Sequence, residues 1–525
     1  MSKRPLRIII DGAYAKLRGG GESLLRKPLR VLDPKRFFKP AFQQGWWDGY
    51  IALYEGNTFP AGLTKRVADS LVGDGYEVDI TEKKDTKPLD LSRFDETYLP
   101  GITLWEPQMG AIMAMLTNAR GIVKSPTGSG KTEDIYAVAR YYLEEQKWRS
   151  LVIVPKAGLL KQTVKRFVKY TQGDFEIGQL GDGKKTVGPI TVGTAQCLMN
   201  YKSRKIKNQW REGNKLLADV IQHFEILFLD EAHHTGSTSW YDIAMNMGNT
   251  QRRFGLSGTP LKDDESSDLR LVGATGALIF NAEAQDLIEQ GLAARPKIAF
   301  IVSHNASGPK LPMNINEIIL PNGDRVSKPK YKPYSEAYAL GVVENSYHNT
   351  AVIRAVEWLV ERKKQTIILC RRKLHFQTLK TMLEDSGITF EALWGDDSTD
   401  IRERAKHEFG ERAINVILAT TIFDEGEDVP NIEAIVLAEG VKSQVNVVQR
   451  IGRGMRKDTE DVWVVDIAPT CHPRLVEHAV ERADAYEEEG HEVIVLDEWP
   501  AVDELFDPDR DYLPFENWDE AYANR

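Results

Sequence analysis

Eight consecutive residues, Ser125-Pro126-Thr127-Gly128-Ser129-Gly130-Lys131-Thr132, combine glycines, a lysine and a hydroxyl. They follow a short apolar run at 121–123 and precede a helical pattern over about 133–143. Strand, loop and helix in that order are the context that a phosphate-binding loop requires. Glycine lets the backbone approach phosphate and aim several N–H groups at it, and the helix start adds a positive dipole end. Thr127, Gly128, Ser129 and Gly130 would form the cradle, Lys131 would reach the β/γ-phosphates, and the Thr132 hydroxyl would hold Mg²⁺. The strict pattern opens with Gly, where this chain has Ser125.

About a hundred residues later, the apolar run 226–229 ends in Asp230-Glu231-Ala232-His233-His234. At the C-terminal edge of a parallel sheet, Asp230 would face the phosphates and bind Mg²⁺. Glu231 would orient or deprotonate the attacking water. Two adjacent histidines suggest a metal, but no further histidine or cysteine stands near them at ligand spacing.

At this point the chain resembles the superfamily 2 helicases and translocases of the DExH type, and further motifs follow in the family's order. The resemblance covers about residues 101–470. It implies ATP as the nucleotide, with Gln108 reading adenine. It implies nucleic-acid backbone contacts at Pro155-Lys156, Gly193-Thr194 and Thr420. The stretch Gly255-Leu256-Ser257-Gly258-Thr259-Pro260 looks like the segment that couples ATP to nucleic acid, which makes His233, Ser257 and Thr259 coupling residues. Residues 419–430 look like motif V, whose Gly426 and Asp428 approach the nucleotide. Gln449-Arg450-Ile451-Gly452-Arg453-Gly454-Met455-Arg456 looks like motif VI, which implies Arg453 and Arg456 as arginine fingers, Arg450 as their support, and Gln449 and Arg450 as coupling residues. Independently of the family, arginines three apart on a helix share a face, and planar guanidinium suits a phosphoryl transition state. Fingers on a second domain would tie hydrolysis to cleft closure.

The front of the chain, Gly45-Trp46-Trp47-Asp48-Gly49-Tyr50-Ile51-Ala52-Leu53-Tyr54 and then Phe59-Pro60-Ala61-Gly62-Leu63, resembles the first domain of the phage recombination and branch-migration helicases. That implies DNA binding, with Lys35, Arg36, Lys39, Lys65 and Arg66 as phosphate contacts and Trp46 and Trp47 as stacking surfaces. The function so implied is remodelling of branched DNA in recombination, repair or replication restart. Recombination or single-strand-binding proteins would be its partners. An RNA helicase and the motor subunit of a restriction-type complex are the alternatives.

These residues need elements to hold them. Apolar runs at 121–124, 151–154, 190–193, 226–229 and 254–257 alternate with helical patterns, as do runs at 366–370, 416–419, 434–437 and 462–466. Such alternation predicts parallel sheets with helices on both faces. The expected architecture is α/β: two tandem RecA-like domains over 96–298 and 345–470, behind a small N-terminal α/β nucleic-acid-binding module over 1–95. An irregular connection over 299–344 carries a hairpin with an Asn322-Gly323 turn, and an acidic extension covers 471–525. ATP would sit in the cleft between the tandem domains.

The 525 residues carry a net charge of −9. Charge is unevenly spread: 11 basic and 3 acidic residues occupy the first 40, while 16 acidic and 3 basic follow from residue 481. The basic front suits a nucleic-acid partner. Three separated cysteines form no disulfide or metal pattern, and no apolar run approaches the ~20 residues of a membrane span. The expected location is a reducing cytoplasm, that of the host if the chain is phage-encoded, with no membrane partner.

Overall fold

The computed structural model describes the chain except for residues 1–4, 35, 84–87, 127, 200–203, 207–208, 212–218, 262–263, 283–294, 304–313, 320–324, 331–332, 396, 421–430, 440–460, 470–471, 489–490 and 497–525. It divides into two compact units, 1–283 and 284–525.

The first unit opens with a small sheet of Leu6–Asp11 (β1), Tyr14–Arg18 (β2), Thr58–Pro60 (β3) and Val78–Glu82 (β4), in the order β3-β2-β1-β4. Only the β1–β4 pair is parallel. Helices Ser23–Leu29 (α1) and Thr64–Gly73 (α2) cover it, and a short antiparallel pair, Arg30–Leu32 with Tyr50–Ala52, stands beside it. The core of this module includes Leu269 from the following domain, with Val272 and Tyr241 packed against it. Glycine makes that contact possible: a Cβ on Gly62 would lie 1.9 Å from the Val272 carbonyl oxygen, and one on Gly12 would lie 1.9 Å from that of Gly248. The module is therefore seated on the domain behind it.

That domain is built on eight strands: Arg120–Lys124 (β5), Ser150–Val154 (β6), Ile177–Gly181 (β7), Lys184–Thr186 (β8), Ile190–Thr194 (β9), Ile226–Asp230 (β10), Arg252–Ser257 (β11) and Leu278–Asn281 (β12). Their order is β8-β7-β9-β6-β10-β11-β5-β12, parallel except for β8. Successive side chains of a strand point to opposite faces. Val152, Val154, Ile226 and Phe228 pack on one side, with helices Glu106–Thr117 (α3), Lys131–Gln146 (α4) and Ala157–Thr171 (α5). Leu151, Ile153, Leu227 and Leu229 pack on the other, with Glu265–Thr275 (α6). Two covered faces explain why these strands read as continuous apolar runs.

The second unit repeats the scheme. Strands Arg295–Ser303 (β13), Thr366–Leu369 (β14), Phe390–Leu393 (β15), Val416–Ala419 (β16), Ala434–Leu437 (β17), Asp461–Pro469 (β18) and Glu492–Leu496 (β19) run parallel in the order β15-β16-β14-β17-β18-β13-β19. Helices Ser346–Glu361 (α7) and Lys373–Ser386 (α8) lie on one face, and Pro473–Glu488 (α9) lies on the other. Strand β13, at the border of the expected connection, and α9 with β19, at the start of the expected acidic extension, all belong to this sheet and its cover. The Asn314–Ile319 and Arg325–Lys330 strands form the antiparallel hairpin around residues 322–323, with the turn outside the described residues. Two RecA-like α/β domains and a small N-terminal α/β module are the architecture the alternation predicts. Among the described residues no helix is long and apolar enough to cross a membrane.

Candidate ATP site

The loop between β5 and α4 turns on Gly128 (φ +84°) and Gly130 (φ +91°). Both are left-handed, a conformation glycine adopts without strain. A Cβ on Gly130 would meet Gln108 Nε2 at 2.2 Å. Ser125, the departure from the strict pattern, has a local explanation: its hydroxyl is 2.6 Å from Ser129 Oγ, which also donates to the Pro126 carbonyl at 2.7 Å. A hydroxyl thus cross-braces the loop where other chains place glycine. Lys131 is buried, and its Nζ donates to the Ser125 and Pro126 carbonyls at 3.2 and 3.1 Å. The lysine folds back onto the carbonyls of its own loop. Thr132 follows in the first turn of α4, half-buried. Thr127 lies outside the described residues.

Asp230 ends β10 and is buried. Burial, and next the neighbouring Glu231 charge, push its carboxyl up to about 7 against the pull of Lys131. Glu231 sits at φ +53°, ψ +52°, uncommon for a residue with a Cβ. The kink turns the chain into a 3₁₀ turn over Ala232–Gly236. It leaves a Glu231 oxygen 3.3 Å from His233 Nδ1, which is 3.0 Å from Ser257 Oγ. Ser257 accepts from Thr259 N–H at 3.3 Å, and its carbonyl accepts from Ser125 N–H at 3.0 Å. The structure therefore joins Glu231, His233, Ser257 and Thr259 to the start of the phosphate loop. His234 stacks on Trp240.

A buried lysine, left-handed glycines at a helix start and a buried carboxylate beside them match the donors that a nucleotide triphosphate with a divalent cation needs. When bound, the cation neutralises phosphate charge.

Gln108 is buried on α3 and fully engaged: its amide donates to Asp134 Oδ1 at 3.0 Å and to the Gly130 carbonyl at 3.3 Å, and its carbonyl accepts from Trp105 N–H at 3.2 Å. Asp134 gave no signal in the sequence, because one acidic residue in a first helical turn is unremarkable there. It is wholly buried, and its second oxygen has no hydrogen-bond partner among the described residues. Burial raises its carboxyl well above the usual range.

The nucleic-acid candidates are less uniform. Pro155 is half-buried and Lys156 exposed at the start of α5. Gly193 and Thr194 are buried, and Thr194 Oγ1 caps the helix Ala195–Leu198 by accepting from Cys197 N–H. Thr420 is buried after β16, and among the described residues its hydroxyl has no hydrogen-bond partner. Lys39 pairs with Asp33 at 2.5 Å and Lys65 with Asp69 at 2.8 Å. Arg66 bonds to the Pro28 carbonyl at 2.7 Å and to Glu265 at 3.2 Å, so it ties the module to α6. Trp47 is half-buried and donates its indole N–H to the Tyr50 carbonyl at 2.8 Å, so it anchors the loop before the short strand Tyr50–Ala52. Arg36 is half-buried, with its guanidinium 4.3 Å above the Phe37 ring. Lys35, Gly426, Asp428, Gln449, Arg450, Arg453 and Arg456 lie outside the described residues.

In the second unit Cys370, His375 and Glu439 bring donor atoms within 4.8 Å of one another. Glu439 already accepts from the Arg371 and Arg372 N–H groups at the start of α8, and from the Cys370 thiol at 3.5 Å. It thereby fixes the backbone that leads into α8.

Two family models match in tandem: the Type III restriction enzyme res subunit over residues 101–262, and the helicase conserved C-terminal domain over 348–458. The ATP-dependent DNA helicase UvsW of Enterobacteria phage T4 is 26% identical over 491 residues, 86% of this chain and 90% of that protein. The DNA 3′-5′ translocase XPB2 of Sulfurisphaera tokodaii is 27% identical over 388 residues, 70% of this chain and 81% of its own. A solved S. cerevisiae Dbp5 shares the fold at a TM-score of 0.52 and 15% identity, covering 81% of this chain and 93% of Dbp5. The phosphate loop, the Asp-Glu-Ala-His strand end and the tandem matches in this order make the chain a superfamily 2 helicase, an ATP-dependent hydrolase resembling UvsW.

Proposed function

We propose that the chain is a DNA helicase or translocase that uses ATP to remodel branched DNA by branch migration, unwinding or annealing. Support for DNA comes from UvsW and XPB2, whose names specify DNA. The reading of branched substrates rests on the resemblance of the 45–63 segment to the front domain of the branch-migration helicases; the UvsW match, 86% of this chain, is longer than the two motor domains alone. The observation that carries the catalytic half is the chain of contacts from Glu231 through His233 and Ser257 to the phosphate loop.

In this reading Lys131 exchanges its two carbonyl partners for phosphate oxygens, and the Gly128–Gly130 backbone supplies N–H donors. Thr132 and Asp230 hold Mg²⁺. Glu231 takes a proton from the attacking water. Arg453 and Arg456 stabilise the charge developing on the phosphoryl group, a contribution of roughly 10³–10⁵ in rate in GTPases.

The test is the steady-state ATPase rate with no nucleic acid, single-stranded DNA, duplex, a four-way junction and RNA, each at two salt concentrations. The expected result is stimulation by DNA, greatest with the junction, and its loss in Lys131→Ala and Glu231→Gln. Stimulation by RNA alone would move the chain to RNA substrates, and normal turnover in either variant would remove the site assignment.

A further inference from the structure

One segment of the N-terminal module exposes aromatic rings that no described residue of its own unit covers. The 3₁₀ turn Arg36–Phe38 and the helix Pro40–Gln43 contain no buried residue. Phe38 is 84% exposed, Trp46 81% and Phe37 58%. Single exposed apolar side chains are ordinary, but a cluster of large aromatics in one protruding segment marks a contact surface.

The segment is nevertheless firmly held. Buried Asp33 pairs with Lys39, and the Trp46 and Trp47 N–H groups both donate to the Ala41 carbonyl, at 2.8 and 3.1 Å. Phe42 lies edge-on to Phe37 at 5.4 Å and to Trp47 at 6.3 Å between ring centres. Gly49, at φ +82°, lets the chain close beneath: a Cβ there would come 2.7 Å from Arg36 Cδ and 2.9 Å from the Phe42 ring. Phe42 and Trp47 are thus the inner anchors, and Phe38 and Trp46 the outer faces. Cations lie among the rings, with the Arg36 guanidinium over Phe37 and Lys39 Nζ 5.0 Å over Trp47.

We propose that Phe38 and Trp46 form a base-stacking tip for unpaired bases of single-stranded DNA, with Arg36 beside it for the phosphate. This rests on the DNA reading above and adds to it which part of the module meets a separated strand. A preordered aromatic surface suits stacking, because every base has a π-face and a rigid ring loses little entropy on contact. Charge argues for DNA over an apolar protein face. The rings are interleaved with cations, and the first 40 residues carry 11 basic against 3 acidic side chains.

The test uses the full chain and a single-stranded oligonucleotide containing 2-aminopurine, whose fluorescence falls when it stacks on an aromatic ring. The wild type should quench it on binding. Phe38→Ala and Trp46→Ala should each weaken binding by roughly 5- to 150-fold, the usual range for losing one stacked base, and lose the quench at saturation. Trp46→Phe should retain it. Both side chains are exposed and outside the ATP site, so thermal melting and DNA-free ATPase should match the wild type. Unchanged binding and quench in both alanine variants would overturn the tip while leaving the DNA reading standing, and would indicate a protein partner for these rings. No binding of any DNA by the wild type would instead overturn the DNA reading, and the tip with it.

Discussion

His233 Nδ1 lies 3.0 Å from the hydroxyl of Ser257, a residue 24 positions away on the neighbouring strand. Ser257 ends β11 and His233 lies in the turn just after the adjacent parallel strand β10, at the edge where a sheet collects its ligand-binding loops. Ser257 is the hub: its hydroxyl meets His233 and Thr259 N–H, and its carbonyl meets Ser125 N–H at the phosphate loop. A change at the Ser257-Gly258-Thr259 turn would be felt at Glu231 through one imidazole.

Ser257→Ala removes the hydroxyl without changing the strand. It should lower DNA-stimulated ATPase at least tenfold and lower the DNA-free rate much less. The measurement is the ratio of the two rates. An unchanged ratio would show that the contact only braces the fold.

Asp230 gives a pH signature. Its folded carboxyl titrates near 7 against the ordinary 3.8, so the folded state holds a proton that the unfolded state has released. A raised carboxylate pKa makes stability fall as pH rises from about 4 to about 7. Asp230→Asn, which cannot ionise, should therefore be more stable than the wild type at pH 8 without nucleotide, by on the order of a few kcal/mol in chemical denaturation, and equal it near pH 4. The same variant should lose turnover. On the proposal that Asp230 holds Mg²⁺, the ion would have to displace that proton, and the wild type should bind Mg-ATP more weakly below pH 7, as titration calorimetry at pH 6 and 8 would read.

Asp134 holds Gln108 against Gly130 by a buried hydrogen bond. Asp134→Asn keeps an acceptor at that place and should preserve the KM for ATP within about twofold. Asp134→Leu leaves the Gln108 amide short of a partner and should raise KM several-fold with a smaller effect on kcat. Equal KM values across the wild type and both variants would detach Asp134 from nucleotide binding.

In the second unit Arg482 grips Asp466 through two hydrogen bonds of 2.8 and 2.9 Å, both side chains fully buried, and Tyr486 donates to the same carboxylate at 2.9 Å. Arg482→Met would strand the Asp466 charge and should destabilise the unit by about 3–5 kcal/mol. Chemical denaturation followed by fluorescence checks this. Restoring neutrality with Asp466→Asn in the same chain should recover part of the loss.

The sequence by itself determined the order of the candidate site: Gly-Lys-Thr loop, Asp-Glu strand end, Ser-Gly-Thr turn. These are local patterns, each carried by a few neighbouring residues on a strand buried on both faces, and such strands announce themselves as apolar runs. Strand β7, with two glycines and a glutamine in Ile177–Gly181, and the half-buried β15 have no such run and emerge only from pairing. Tertiary structure also decided what side chains do after folding. Lys39, Lys65 and Arg66 read as free cations in the chain, yet carboxylates reach each of them, two from within the module and one from α6. Of two adjacent tryptophans, Trp47 turns inward and Trp46 outward. Asp134 acquired its place because α3 and α4 pack together, and a contact between residues 26 positions apart leaves no local mark in the sequence. Composition and periodicity report what a residue shares with its neighbours along the chain, whereas burial and partnership depend on neighbours in space.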